Sequence, residues 1–554
     1  MARATLLASL VLGLLSCAHQ DELPKVAVGK KVPRSSSPPE IEKVRDLGAV
    51  QLAEGQPIPG DKGDGVAVVG ELVLLTGAGF GLRPKVTVSG MVAEQVARTE
   101  EGGLVVRVPW GIRTGPQRFR VENPDGTSAV TFPVRRYALA SVPSRDRVFV
   151  LEVSREQVQR FGEPLELENP GHIRYCGDGQ TAYVAGRSEA NERRAGSGVS
   201  SSGDRGLTVA VVDMVAPGGP RITATQPLPG EQLVALTGAD RIPVAMALSD
   251  THMLVLDTRD PQKPRRYEPR PLPAGLAGEV LTAEMNPEGS LLAVLPRRGN
   301  DVVLYSVSGP EVELKELART KVIPRTRTTL PLLRDLRFSA DSSTLWVVSG
   351  ENARSRGRGR FPLRLTALKI QLERKGSSTR FGVLSVWRGL DVPHQAAPVA
   401  LAVARGQPTA RGTTVSVPPA KAAVFITAHD AKLLRLRRTR LDRTRGLRRA
   451  VRILKGINPL GTLIKTDIEG RGGPEFSSPS LLGPLEITSD SQVLLVAGAR
   501  VEAKGKPAPE LRLVYGVTAY RVFGKKEPTF IQLAEVDPET LKRPFLLGDI
   551  RVQP

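Results

Sequence analysis

A chain of 554 residues is long enough for two or three ordinary domains, or for one large repeat architecture with a smaller companion. Hydrophobic residues at 40% supply real cores, whereas aromatic residues at 4% argue against an aromatic-lined sugar or base-stacking surface. The formal net charge of +21 attracts polyanions, although a GC-rich genome that favours Arg, Ala, Gly and Pro codons produces the same bias.

The N-terminus divides into three parts. Arg3 supplies a positive start, Leu6 to Leu15 form an apolar stretch, and small Ser16 precedes Cys17. The apolar stretch is about half the roughly 20 residues needed to span a bilayer, so it reads as a secretory signal and not as a transmembrane helix. Leu14-Leu15-Ser16-Cys17 resembles the bacterial lipobox. That resemblance implies a signal peptide over residues 1–17, lipid on Cys17 and membrane attachment through it. Ala18 stands where inner-membrane retention would place an aspartate, which favours the outer membrane. An incidental cysteine behind a plain signal peptide is the blander reading. Residues 18–64, with VPRSSSPPEIEK and GQPIPGDKGDG, are rich in Pro, Gly, Ser and charge, and are expected to form a disordered tether.

Residues 65–136 carry apolar alternation interrupted by turn residues. Val73, Leu75, Val86 and Val88 alternate, as do Val106, Val108, Phe119 and Val121. Between them lie Gly77-Ala78-Gly79-Phe80-Gly81, Pro109-Trp110-Gly111 and Asn123-Pro124-Asp125-Gly126, the last a strong hairpin signal. The stretches LLTGAGFG, VTVSG, LVVRVPWGIRTGPQRFRVENPDGTSAV and TFPV resemble the IPT/TIG family. The resemblance implies an immunoglobulin-like β-sandwich that serves as a spacer and interaction module. Phe80 reads as core and the glycines as turns. The glycine-rich loop leads into a strand, so no helix N-terminus follows it to hold a phosphate.

From Tyr137 onward a pattern recurs: a strand, a turn on Asp or Glu with Gly or Ser, then a strand of small and β-branched residues. The clear copies are GHIRYCGDGQTAYVAG, VLTAEMNPEGSLLAVL, RDLRFSADSSTLWVVSG and GPLEITSDSQVLLVAG. Weaker ones are PVAMALSDTHMLVLDT from Pro243 and VSVPPAKAAVFITAH from Val415. Short antiparallel strands repeated in this way are the signature of a β-propeller. The chain end LGDIRVQP resembles an inner strand, and its matching strands open the region at YALASVPSRDRVFVLEVS. Joining them gives one shared blade and, with six copies, seven. The repeats, as in NDVVLYSV and HDAKLLRL, resemble the YVTN or lactonase-like bacterial propellers, which implies the fold more firmly than any activity. The expected class is therefore all-β, with an immunoglobulin-like sandwich at 65–136 and a seven-bladed propeller at 137–554.

The chemistry-bearing residues are sparse. Five histidines, His19, His172, His252, His394 and His429, show no zinc spacing, and no nucleophile elbow or P-loop occurs. If Cys17 carries lipid, no second cysteine remains to bridge Cys176, which reads as a small packed hydrophobe. His172 lies on an expected inner strand and reads as a channel-lining residue. The sequence thus predicts no catalytic set, no metal and no cofactor.

The most unusual stretch runs from Lys432 to Lys455, KLLRLRRTRLDRTRGLRRAVRILK, with a single acid, Asp442. Its plainer reading is a solvated loop that keeps a sheet edge from aggregating. Its functional reading places Arg437, Arg438, Arg440, Arg443, Arg445, Arg448 and Arg449 against an anionic partner, with salt-sensitive affinity. ARSRGRGR from Ala353 is a second basic run, and NERRAGSGVSSSGDRG from Asn191 reads as a flexible insertion. The expectation is a non-enzymatic envelope lipoprotein that binds a protein or an anionic envelope polymer, with no nucleic acid. The rivals are a propeller hydrolase or lactonase with channel carboxylates around a metal, and a scaffold subunit of a larger envelope machine.

Overall fold

The computed structural model describes residues 37–48, 64–99, 102–187, 206–403, 424–430 and 461–553, apart from shorter stretches between strands. Cys17, the basic segment 432–455 and the insertion after Asn191 lie outside the described residues.

The alternation read over residues 65–136 becomes two sheets around one apolar cluster. One sheet orders the strands Glu40–Asp46, Leu72–Ala78, Leu104–Arg107 and Glu94–Arg98. The other orders Ala67–Val68, Gly126–Arg135, Gly115–Asn123, Lys85–Val88 and Met91–Val92. The alternating residues singled out above, Val73, Leu75, Val86, Val88, Val106, Val108, Phe119 and Val121, all enter that cluster with Phe80. Period-two patterning forces this outcome, because successive side chains on a strand point to opposite faces.

One expectation is corrected. Residues 40–46, assigned above to the 18–64 tether, form a strand antiparallel to Leu72–Ala78, and Val44 is buried in the cluster. The strand EIEKVRD is too polar to advertise itself, but backbone pairing does not depend on side-chain polarity. Its passage explains the glycine-rich loop. A Cβ on Gly77 would sit 1.9 Å from the Glu40 carbonyl oxygen. Gly79, at φ +71°, would meet the Pro38 oxygen at 2.4 Å. These glycines are required by a chain crossing over them as well as by a turn.

Seven antiparallel sheets, each with a path of four strands, follow. Their inner strands, numbered here from the shared blade, are Ile550–Val552, Ile173–Cys176, Leu233–Gly238, Val280–Met285, Thr329–Phe338, Ala396–Val403 and Ser480–Ile487. Each inner strand neighbours the next, and Ser480–Ile487 returns to Ile550–Val552, so the ring is closed. Closure is made by the two ends of the repeat region, with Ala138 paired to Val552 and Ala140 to Ile550. Gln553 fastens it: its Oε1 accepts from the Tyr137 N–H at 2.7 Å, and its Nε2 donates to the Gly179 carbonyl at 2.8 Å. The seven-bladed all-β architecture is as expected.

The two weaker copies were framed wrongly. PVAMALSDTHMLVLDT supplies the second and third strands of its blade, Val244–Ser249 and His252–Asp257, while the inner strand is the upstream Leu233–Gly238. In the sixth blade the inner strand is Ala396–Val403, not the VSVPPA stretch. Both errors have one cause. Every strand in a blade is apolar and short, so a strand–turn–strand unit reads alike at either position.

The sandwich joins the ring at its first two blades. Gln180 donates to the Gly70 carbonyl at 2.7 Å, and Arg136 to the Ile112 carbonyl at 2.6 Å. Val68 packs with Tyr137, Leu139 and Val215. At this junction Glu71, 2% exposed, accepts from the N–H groups of Gly48 at 2.8 Å and Val68 at 2.7 Å. Burial pushes its carboxyl up to about 8, with the charges of Asp46 and Asp64 adding to the rise and the two N–H donors opposing it. A carboxyl held above its ordinary value binds a proton in the folded state that the unfolded chain releases. Stability from this group is therefore complete near pH 4.5 and is lost as pH rises through about 8. Denaturant unfolding between pH 5 and 9 should show a fall on the order of 4 kcal/mol from this group. Glu71→Gln should remove most of it; an unchanged slope in that variant would overturn the assignment.

Candidate functional site: the central channel

The ring converges on a channel, and its inner strands place one residue each at the same register. This position lies opposite the third residue of the following strand in six blades, Leu139, Tyr183, Met246, Ala293, Trp346 and Leu495, and opposite the second, Phe425, in the sixth. It is occupied in blade order by Arg551, Arg174, Thr237, Glu284, Arg337, Ala402 and Glu486. Five of the seven are ionisable, on strands whose other residues are mainly apolar.

These side chains neutralise one another across the ring. Glu284 takes Arg174 at 3.0 Å through one oxygen and Arg337 at 3.1 Å through the other. Arg174 crosses the third blade, where Thr237 is short and the Gly238 carbonyl accepts its second nitrogen at 3.0 Å. Arg551 pairs with Glu486 and lies 3.4 Å from Asp549, and its Nε donates to the Ile173 carbonyl at 3.2 Å. Burial works against the Arg551 charge, but Asp549, Glu486 and Glu284 together hold its guanidinium above its ordinary value. Asp335 lies 3.7 Å from Arg337.

A second layer sits two residues earlier in the chain at three of these strands, on or just before the strand. Asp549-Ile550-Arg551 and Asp335-Leu336-Arg337 share one spacing, and His172-Ile173-Arg174 puts a histidine in the aspartate's place. His172 is reachable by water, yet protein encloses it on most sides. That enclosure is the main cause of its lowered pKa, with the arginines 551 and 337 lowering it further and the aspartates 549 and 335 opposing them. This is the channel-facing position expected of His172. Cys176 is buried in the apolar cluster between the second and third blades, and its Sγ lies 3.8 Å from the Val244 carbonyl.

The chemistry follows from the pairing. Among the described residues no three His, Cys, Asp or Glu side chains come together to hold a metal ion, and each channel carboxylate named above turns to a guanidinium. The sequence reading missed this layer except for His172. The signal was present in the quoted copies, where HIRYC, TAEMN, DLRFS, PLEIT and DIRVQ align with an Arg or Glu at the third place. The predicted arginines, Arg437 to Arg449, lie outside the described residues.

No family model matches the chain, and no curated relative does. Solved structures are similar in fold. A protein from Lactobacillus plantarum is 10% identical, covering 76% of this chain and all of its own, with a TM-score of 0.44. The periplasmic gluconolactonase of Pseudomonas aeruginosa is 12% identical over 76% of this chain and 99% of its own, with a TM-score of 0.41. The Cps50 (Swd1) β-propeller domain of Myceliophteria thermophila is 11% identical over 59% of this chain and 92% of its own, with a TM-score of 0.30.

Proposed function

We propose that this chain is an exported, non-enzymatic lipoprotein. It is anchored through Cys17 in the outer membrane and presents a propeller, positioned by an IPT/TIG-like module, to a protein or an anionic envelope polymer. The observation that supports binding over hydrolysis is the mutual neutralisation of Glu284, Glu486 and Asp549 with Arg174, Arg337 and Arg551. Such a layer lines the channel with paired groups. A metal-assisted lactonase would instead direct several carboxylates at one ion. The junction hydrogen bonds at Gly70 and Ile112 suit a module that sets the orientation of the ring.

Two measurements test this reading. Cys17→Ser should move the folded protein from the membrane to the soluble fraction; continued membrane retention would refute anchoring by that residue. Purified protein given divalent metals should hydrolyse no sugar lactone above background, while a pull-down from solubilised membranes recovers its partner. Metal-dependent turnover that is lost in Glu284→Gln would replace the binding reading with the hydrolase.

A further inference from the structure

The sandwich has two ends, and they are built differently. One meets the ring through the Gly70 and Ile112 carbonyls. The other is where the N-terminal chain enters. There Asn123 Nδ2 donates to the Ser37 carbonyl at 3.2 Å and to the Gly79 carbonyl at 2.6 Å, tying that entry to the glycine-rich loop and to the hairpin at Pro124-Asp125. Strand Gly126–Arg135 runs ten residues from this tip to the ring, a span of about 30 Å.

The tip carries apolar surface. Leu82 is 57% exposed, the one large hydrophobic side chain left so among the described residues. Pro38 and Pro124 are exposed with it. A Cβ on Gly81 would lie 4.0 Å from the Asn123 side chain, and one on Gly126 would lie 3.1 Å from Pro38, so loop, hairpin and entry form one continuous surface. Proline has no N–H, so burying Pro38 and Pro124 against lipid strands no backbone donor of theirs. Cations follow Leu82 directly, with Arg83 and Lys85 exposed in the same loop. Arg98 donates to the Gly81 carbonyl, and its Nε has no partner among the described residues. Burial lowers the Arg98 pKa, with no carboxylate to offset it. Glu40 and Asp125 share this end and offset much of the positive charge, so apolar contact and not a long-range field selects the surface.

We infer that this tip is an interaction surface for the phospholipid bilayer, with Leu82 entering the interface and Arg83 and Lys85 meeting headgroup phosphates. The inference rests on the lipid anchor at Cys17 proposed above and adds a second, oriented contact to it. Ser37 follows Cys17 by 20 residues, which reach about 70 Å at most when extended. The chain enters at the tip, so the anchor keeps this end of the molecule within that reach of the membrane. One leucine holds a free protein weakly. Against a surface to which the chain is already attached, the contact is effectively intramolecular, and a small apolar area suffices to orient the molecule. The sandwich then acts as a pedestal that stands the ring off the headgroups.

The lipidated full chain, reconstituted into phosphatidylcholine–phosphatidylglycerol vesicles carrying a headgroup nitroxide lipid, provides the test. Asp125→Cys places a fluorophore on the tip while leaving Leu82 intact, and Thr251→Cys places it on the third blade as a control; Cys176, 2% exposed, is shielded from the label. Quenching at position 125 should exceed that at position 251 by about threefold or more, and Leu82→Ser with Arg83→Glu should bring it down to the control value while flotation with the vesicles is unchanged. Equal quenching at the two positions, or quenching at 125 that survives the paired substitutions, would overturn the tip contact. Flotation with position 125 unquenched would leave the anchor standing and assign the tip to a protein instead. A chain that does not float refutes the anchor, and the tip contact with it. Thermal unfolding of the labelled chains verifies that each is folded.

Discussion

Ending the chain after Leu547 is expected to abolish cooperative unfolding and yield a protein that aggregates. The deletion removes Ile550 and Val552, which are 0% and 6% exposed and worth about 1.5–3 kcal/mol each in burial. It strips Arg551 from Glu486, and a buried charge left without its partner costs about 3–5 kcal/mol. It also frees the Tyr137 N–H and the Gly179 carbonyl that Gln553 satisfies. The total rivals the entire net stability of an ordinary domain, about 5–15 kcal/mol. The opened ring then exposes two sheet edges, which is the usual route to edge-to-edge association. Size-exclusion chromatography with thermal unfolding measures both consequences. Gln553→Ala alone should elute as the full chain does and lose about 1–3 kcal/mol. A truncated chain that unfolds like the full one would show that the ring does not close through its C-terminal strand.

Glu284→Ala carries the second large effect. This one carboxylate balances two guanidiniums from different blades, Arg174 and Arg337, and its own side chain is 8% exposed. Its loss leaves both cations short of their strongest acceptor in a confined space, at about 3–5 kcal/mol. Arg174→Met together with Glu284→Met and Arg337→Met should recover most of that loss, because apolar side chains of similar volume do not carry the desolvation cost. Denaturant midpoints for the single and triple variants provide the comparison. A loss under about 1 kcal/mol in Glu284→Ala would mean that solvent screens the layer.

Much of this architecture was legible from periodicity. The sandwich core from Val73 to Val121 followed from alternation alone, and ring closure followed from an orphan inner strand, DIRV, whose partners lay more than 400 residues upstream. Strand Glu40–Asp46 escaped because its polar composition conceals a backbone that merely needs an open sheet edge. The third and sixth blades slipped by one strand because apolar strands of similar length carry no mark of their radial position.

The channel layer was half legible. A charge recurring at one place in five repeats was visible in the copies, but which charges meet was not. Arg174 reaches Glu284 two blades away because the intervening Thr237 is short, and Glu284 serves Arg337 as well. Local alternation thus determined the all-β class, the repeat and the blade count, since these depend on how each residue meets its neighbours along a strand. The tertiary structure alone decided the pairing of channel charges and the docking of the sandwich on the first two blades. Those depend on groups brought together by closure across hundreds of residues, and strand periodicity carries no record of that distance.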